Sequence, residues 1–229
     1  MREKLISNFI KNKFSHLLAV IIILFLIAPF LPERDVGLPI VSFVFLGMIL
    51  VTLRALSLTR RALRWSMSIA AAAFLVDVIG TFDTHPILDE SFYVVSTAVY
   101  SAFLALAIVL IIKKLFTERK VTGDTIKGAI SIYFLIGMLF ALLYIAVDHI
   151  DGAAFYFTGP EKDISLFYFS FVTMTTLGYG DIIPADKFAK NLAALQAVVG
   201  QMYIAILVAR LVGLYTAGRT RERMEEKAE

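Results

Sequence analysis

Long apolar segments constrain this chain more than any other feature, because a helix needs about 20 predominantly apolar residues to cross the hydrocarbon core of a membrane. Charged residues make up only 18% of the sequence, against about a quarter in a typical soluble domain. Six segments reach the required length, at residues 14–31, 39–58, 63–82, 92–116, 125–147 and 187–215. The sequence therefore predicts an all-α membrane protein with six transmembrane helices.

Basic residues lie in alternate connections between these segments. Lys and Arg concentrate in the N-terminal segment, around residues 60–64 and 113–127, and at residues 219–223, whereas the other connections are acidic or balanced. Because cytoplasmic loops carry the excess of Lys and Arg, we expect a multi-pass protein of the plasma or inner cell membrane with both termini in the cytoplasm. The first apolar run ends without an A-x-A-like cleavage site, so we expect it to be retained as a span.

The same basic loops bear on partners. They attract anionic lipid headgroups weakly, as cytoplasmic loops generally do. Their positive charge is divided among loops and does not form one contiguous face, which argues against nucleic acid as a partner.

The residue inventory argues against an enzyme. The sequence has no cysteine and three scattered histidines, which excludes disulfides and thiol catalysis and disfavours a metal-binding cluster. No paired nucleophile and base stands out. We predict a protein without enzymatic activity and without a bound cofactor.

A seventh apolar piece, residues 164–176, is too short to cross a membrane, and it leads directly into the sequence TMTTLGYGDIIP at residues 173–184. A short helix at membrane depth predicts a re-entrant element, covered by protein or water at its irregular end. Gly178 and Gly180 allow backbone angles that place successive carbonyl groups on one side. Repeated around a symmetry axis, such carbonyls form stacked oxygen rings that can replace the hydration shell of a monovalent cation.

The residues around these glycines suit that arrangement. Thr176 can add a hydroxyl oxygen at the inner end of the stack, and Asp181 marks an outer mouth where carboxylates would concentrate cations. Leu177 and Tyr179 are expected to point away from the axis and pack against the short helix. That helix would direct its C-terminal carbonyls, the negative end of its dipole, at the space below.

The sequence TTLGYGD, between a short aromatic helix and a final span, resembles the selectivity filter of tetrameric potassium channels. The resemblance implies a homotetramer with a re-entrant pore helix and a filter loop, in which the permeant K⁺ is the bound ion. The residues implied to coordinate K⁺ are Thr176, Leu177, Gly178 and Tyr179. Gly180 and Asp181 would complete the filter turn and outer mouth, and filter support would come from Tyr168, Phe169, Val172 and Thr175. Leu177 replaces the commoner valine.

The sixth span contains Gly200, and a glycine in mid-helix costs about 1 kcal/mol relative to alanine. Close packing is one explanation, and the resemblance implies another, a hinge at which the inner helix bends to open a cytoplasmic gate. The candidates to line the cavity or inner gate are Ile204, Val208 and Leu211. Arg210 is expected to extend to lipid headgroups.

The fourth span lacks the charges of a voltage sensor. Residues 92–116 contain no arginine, and their two lysines lie at the cytoplasmic end. Each charge moved across 100 mV contributes only about 2.3 kcal/mol, so a sensor needs several. We therefore predict the following domains: residues 1–116, four helices resembling S1–S4 without gating arginines; 117–124, a cytoplasmic linker; 125–215, the pore domain; and 216–229, a short cytoplasmic tail.

The sequence as a whole predicts a potassium-selective channel that conducts K⁺ passively through a tetrameric pore and is not strongly voltage-gated. Two alternatives stay open. One is a weakly selective cation channel, and the other is a modulatory or silent subunit of a heteromeric channel.

Overall fold

The computed structural model describes residues 13–27, 68, 71–72, 75, 86–117, 122–158 and 163–226. The predicted second span, all but four positions of the predicted third span, and half of the predicted linker lie outside the described residues. Within the described ranges the chain is mostly helical. The helices are α1 (Lys13–Ile27), α2 (Pro86–Thr117), α3 (Gly123–Asp151), α4 (Asp163–Met174) and α5 (Lys187–Glu226).

Three of these helices contain stretches long and apolar enough to cross a membrane. The stretches are Val94–Thr117, Gly123–Asp151 and Lys187–Leu214. They correspond to the predicted fourth, fifth and sixth spans. α4 corresponds to the predicted short helix, and the apolar part of α1, Phe14–Leu26, is shorter than a full span.

α3 lies at the centre of the described part of the chain and contacts α1, α2, α4 and α5. It begins at a capping box, in which the Thr122 hydroxyl accepts from the Thr125 amide at 3.2 Å and the Thr125 hydroxyl accepts from the Thr122 amide at 3.3 Å. It ends at Gly152, whose left-handed φ of 66° directs its amide to the Asp148 carbonyl at 2.7 Å.

α2 and α3 pack against each other and are joined by the short connection 118–122, which makes them an antiparallel pair. Gly128 allows this close packing at one end of α3. A Cβ at Gly128 would lie 3.0 Å from both Leu115 of α2 and Phe14 of α1. Lys127 also donates to the Ser15 hydroxyl at 3.2 Å, so α1, α2 and α3 converge there.

At the other end of α1, Phe25 joins α1 to both α3 and α4. Its ring centroid lies 5.8 Å from that of Phe134, 5.8 Å from that of Phe167 and 5.0 Å from that of Phe171. Edge-to-face contacts in this range contribute beyond the area they bury. The first apolar segment therefore packs on the same chain's short helix.

Two short strands, β1 (Phe155–Phe157) and β2 (Ile182–Pro184), form an antiparallel pair on either side of α4 and the glycine-containing segment. Tyr156 lies opposite Ile183, and the Ala185 amide donates to the Ala154 carbonyl at 2.7 Å. The sequence analysis predicted helices only, because three-residue strands are too short to show an alternating pattern. The pair brings together the two ends of the stretch that contains α4 and the glycine-containing segment.

α5 begins at an aspartate cap and extends beyond its predicted end. The Asp186 carboxylate accepts from the Ala189 amide at 2.7 Å, which satisfies a donor of the first turn. The helix continues to Glu226, so residues 216–226 of the predicted tail are helical and continuous with the sixth span.

Candidate ion-conduction site

The segment after α4 folds back onto the carbonyl groups that end this helix. The Thr176 amide donates to the Thr173 carbonyl at 3.0 Å, and the Leu177 amide donates to the Val172 carbonyl at 2.9 Å. Gly178 also reaches the Val172 carbonyl, at 3.4 Å. The last helical carbonyls, which lack partners inside a helix, thus fix the start of the glycine-containing segment.

Thr175 supports the same junction. Its amide donates to the Phe171 carbonyl at 3.0 Å, and its hydroxyl donates to that carbonyl at 2.7 Å. The hydroxyl also reaches the Val172 carbonyl at 3.3 Å. Thr175 and Val172, both predicted to support the filter, therefore lie where the helix passes into the loop.

The backbone of this segment alternates between left-handed and ordinary conformations. φ is 59° at Thr176, 57° at Gly178 and 80° at Gly180, and Thr176 is the one non-glycine residue with positive φ in the described ranges. Glycine adopts this conformation without steric cost, whereas a residue with a Cβ atom pays about 1–2 kcal/mol. A strained threonine persists only where its surroundings hold it, here through the bond to Thr173. This alternation allows successive carbonyl groups to face one side.

The predicted coordinating residues are open to solvent in the single chain. Every residue from Thr175 to Gly180 is exposed, including the large side chains of Leu177 (57%) and Tyr179 (68%). A strained backbone with exposed apolar side chains leaves a surface that the described part of the chain does not cover.

Tyr168 connects α4 to the outer part of the segment. Its ring stacks on Tyr179 with a centroid distance of 6.5 Å and an interplanar angle of 8°. Desolvation, followed by the nearby acceptor and negative charge of Asp181, raises the pKa of the Tyr168 hydroxyl. The hydroxyl therefore stays protonated and faces the carboxylate as a potential donor.

Asp181 is also held by its backbone. Its carbonyl accepts from the Thr158 amide at 3.2 Å and from the Thr158 hydroxyl at 3.0 Å. Its carboxylate accepts from the Ile182 amide at 3.2 Å. The predicted outer mouth is thus fastened to the end of the strand pair.

Phe169, the other predicted aromatic support, points into the core and away from the segment. It is buried, with its ring centroid 5.1 Å from that of Tyr144 on α3 and 5.4 Å from that of Phe155 on β1. Tyr168 and Phe169 therefore hold opposite sides of α4, one towards the candidate site and one towards the body of the chain.

Gly200 is buried against the last residue of α4. A Cβ atom there would lie 2.6 Å from the Met174 carbonyl oxygen and 2.8 Å from Met174 Cγ. Close packing therefore accounts for a glycine at this position, and the gating hinge stays a prediction. Gly137 likewise allows close packing of α3 against α4, because a Cβ there would lie 2.7 Å from the Phe171 ring.

The gate candidates lie beyond Gly200 on α5. Ile204 and Val208 are exposed in the single chain and Leu211 is partly buried. Their spacing places them on one helical face.

Arg210, which was expected to extend to lipid headgroups, makes contacts within the chain. Its guanidinium donates to the Leu115 carbonyl, near the end of α2, and lies 4.1 Å from the centroid of the Phe116 ring. A cation at a helix C-terminus satisfies carbonyls that have no partner within the helix. Arg210 thus connects α5 to the end of α2.

The sequence analysis missed three buried polar side chains, Tyr144 of α3, Ser170 of α4 and Gln196 of α5. They form a hydrogen-bonded set between the three helices. Gln196 was the available signal, because a polar side chain inside an apolar span usually has a partner.

Residues 128–217 match a family described as ion channel. Curated relatives include two pore potassium channel a of Oryza sativa subsp. japonica, 31% identical over 43% of this chain and 26% of that protein. The inward rectifier potassium channel Kirbac3.1 of Paramagnetospirillum magnetotacticum is 34% identical over 37% of this chain and 28% of that protein. No solved structure matches the chain.

One match extends further along the chain. The voltage-gated potassium channel Kch of Escherichia coli (strain K12) is 30% identical over 69% of this chain and 34% of that protein. The chain thus spans between 26% and 34% of the length of these three relatives. The family and the relatives indicate a channel and not an enzyme.

Proposed function

We propose that this chain, a member of the potassium channel superfamily, assembles as a homotetramer that conducts K⁺ selectively and passively along its symmetry axis. The observation that carries the proposal is the alternating backbone of the glycine-containing segment, with left-handed φ at Thr176, Gly178 and Gly180. Carbonyl oxygens from four such segments form the rings that a dehydrated K⁺ requires.

In this proposal the coordinating oxygens come from Thr176, Leu177, Gly178 and Tyr179. Gly180 and Asp181 form the outer turn. The C-terminal end of α4 carries the negative end of the helix dipole and favours a cation below the filter. The exposure of the segment in a single chain supports an assembly in which other copies cover it.

We also propose that voltage has little effect on this pore. α2 carries no charged side chain between Val94 and Ile112, so it offers no charge that a membrane potential could move. The Escherichia coli relative is named as a voltage-gated channel, and that gating is a property of the relative. The six-span layout, the cell membrane and cytoplasmic termini are proposed from the apolar segments and the distribution of Lys and Arg.

The test is ion flux into liposomes that contain the purified protein. We expect K⁺ flux well above Na⁺ flux, with little change when the membrane potential is stepped. Gly178→Ala should abolish K⁺ flux and leave the tetramer intact, because alanine disfavours the φ of 57° at that position. Gly213→Ala is the matched control, because a Cβ there meets nothing within 4 Å.

Each outcome has a distinct meaning. Undiminished selective flux in Gly178→Ala would contradict the filter assignment. Equal K⁺ and Na⁺ flux in the unsubstituted protein would favour the weakly selective channel. Absence of flux, together with co-purification of a second channel protein from native membranes, would favour the modulatory subunit.

A further inference from the structure

A continuous hydrogen-bond chain, which we call the Gln196 chain, joins α5, α4 and α3. The Tyr144 hydroxyl donates to Gln196 Oε1 at 2.6 Å, Gln196 Nε2 donates to the Ser170 hydroxyl at 2.6 Å, and that hydroxyl donates to the Gly137 carbonyl at 2.6 Å. The side chains of Tyr144, Ser170 and Gln196 are completely buried. Every donation in the chain runs in the same direction, from Tyr144 to the backbone of α3.

The chemistry of the amide explains why glutamine stands at the centre. An amide has both an acceptor and a donor, so it can accept a hydrogen bond from one hydroxyl and donate a hydrogen bond to another. A leucine of similar size would fill the same space without any polar group. Within a membrane protein the loss of one partner leaves the others without water, at a cost of about 1–3 kcal/mol for each buried group.

The Gln196 chain acts on the helix that carries the filter. Ser170 lies two residues before Val172, whose carbonyl fixes the amides of Leu177 and Gly178. A change in the rotation or height of α4 at Ser170 would therefore move the start of the filter.

Two contacts made by glycines, which have no Cβ atom, also hold α4. Gly137 lies under the ring of Phe171, and Gly200 lies under the carbonyl of Met174. These contacts limit how closely α4 approaches α3 and α5, but they have no directional preference. The Gln196 chain supplies the direction, because hydrogen bonds weaken steeply when their angles change.

We propose that Gln196 is a positioning residue for ion selectivity, which acts through Ser170 to hold α4, and with it the filter, in the K⁺-selective geometry. The inference rests on the proposed function of residues 176–179 as a potassium filter. Gln196 touches no permeating ion in this account. Its effect is on the alignment of the oxygens and not on their chemistry.

The main test uses the double variant Tyr144→Phe/Gln196→Leu. It removes the two bonds made by Gln196 and leaves no buried polar atom of residues 144 or 196 unpartnered, while Ser170 can still donate to Gly137. We expect an assembled tetramer whose melting temperature is close to that of the unsubstituted protein. Its K⁺/Na⁺ flux ratio in liposomes should nevertheless fall severalfold. A merely structural role would change the melting temperature and leave the ratio unchanged.

The control and the remaining variants complete the design. Asn191→Leu replaces an exposed amide of the same helix and should keep the flux ratio of the unsubstituted protein. Gln196→Leu alone should lose both stability and selectivity, because Tyr144 is left without its acceptor. If the double variant does not assemble, Ser170→Ala carries the same test, since it disconnects Gln196 from α4 with a smaller change and leaves the bond from Tyr144 to Gln196 in place.

The results separate this inference from the proposed function. An unsubstituted protein without K⁺-selective flux would overturn the proposed function and the inference with it. A selective unsubstituted protein whose assembled variants keep the K⁺/Na⁺ ratio would overturn the inference alone. A changed K⁺ flux at an unchanged ratio would also overturn it, because that result would place Gln196 in the control of opening.

Discussion

The helices α3 and α5 are both long and apolar enough to cross a membrane, but their surroundings differ. Within their apolar windows, 56% of the residues of α3 are buried by the described part of the chain, against 11% for α5. Ile132, Leu135 and Met138 of α3 are almost inaccessible, whereas Leu195 and Met202 of α5 are more than half exposed. Apolar content therefore does not tell which helix organises the chain and which one faces outward.

The difference in burial reflects which parts of the protein pack against each helix. α3 is packed by α1, α2, α4 and α5 of its own chain. Most of α5 has no cover in the described residues, apart from the side that carries Gly200, Gln196 and Tyr203. Tyr203 donates to the Ala129 carbonyl of α3 at 2.7 Å. α5 is thus fixed along one side and open on the others.

The largest effect should separate a buried leucine from an exposed one. Leu135→Ala should lower the free energy of unfolding by about 2–5 kcal/mol, because it leaves a cavity in the packed centre of the chain. Leu195→Ala should lower it by less than about 1 kcal/mol, in line with substitutions away from packed features. Thermal unfolding in detergent compares the two. Equal losses would break the comparison, because Leu195 would then be packed as tightly as Leu135 in the assembled protein.

The next effect tests the one closely packed side of α5. Gly200→Ala should destabilise the protein by about 1–3 kcal/mol, because the new methyl group meets the Met174 backbone. Gly213→Ala should stabilise it by up to about 1 kcal/mol, because that position is open and alanine favours helix. Melting temperatures of the two variants give the measurement. A Gly200→Ala protein as stable as Gly213→Ala would show that α5 does not approach α4 as described.

A smaller effect is expected where α5 meets α2. Arg210→Met keeps the apolar stem but removes the donor to Leu115 and the cation above Phe116, with a loss of about 1–2 kcal/mol. Amide hydrogen exchange in the last turn of α2 and around residue 210 should accelerate. Arg210→Lys retains the charge and should show an intermediate rate. Unchanged exchange in Arg210→Met would show that the contact of Arg210 with α2 does not stabilise either helix.

The smallest effect concerns the helix caps, which should be alike in the two helices. Asp186→Ala, at the start of α5, and Thr122→Ala, at the start of α3, should each cost about 0.5–1 kcal/mol. Asp186→Asn keeps an acceptor and serves as the control. Hydrogen exchange of the first-turn amides measures each loss. A much greater loss at Thr122 would show that its cap depends on the surrounding packing as well as on local bonds.

Apolar length predicted much of the described fold. The fourth, fifth and sixth spans and the short helix appear as α2, α3, α5 and α4. Helix ends were less predictable, because polar turns carry no hydropathy signal. α2 begins at Pro86, ahead of Asp89 and Glu90, and α5 continues through the charged residues up to Glu226.

The candidate site was predictable only where the type of a single residue is enough to indicate its backbone conformation. Gly178 and Gly180 indicated left-handed backbone, but the same conformation at Thr176 could not be anticipated, because branched side chains disfavour it. The bonds of Gln196 to Ser170 and Tyr144 depend on how three helices pack. No local pattern encodes contacts between residues so distant in the sequence.

The short connection between α2 and α3 has a consequence for the order of events during assembly. Contacts between helices adjacent in sequence have a low loop-closure cost and form early. The α2–α3 pair can therefore close within one newly made chain, before a second copy is present. In the proposed tetramer, only the later joining of chains along α5 would depend on protein concentration, so subunits would associate after the α2–α3 pair of each chain has folded.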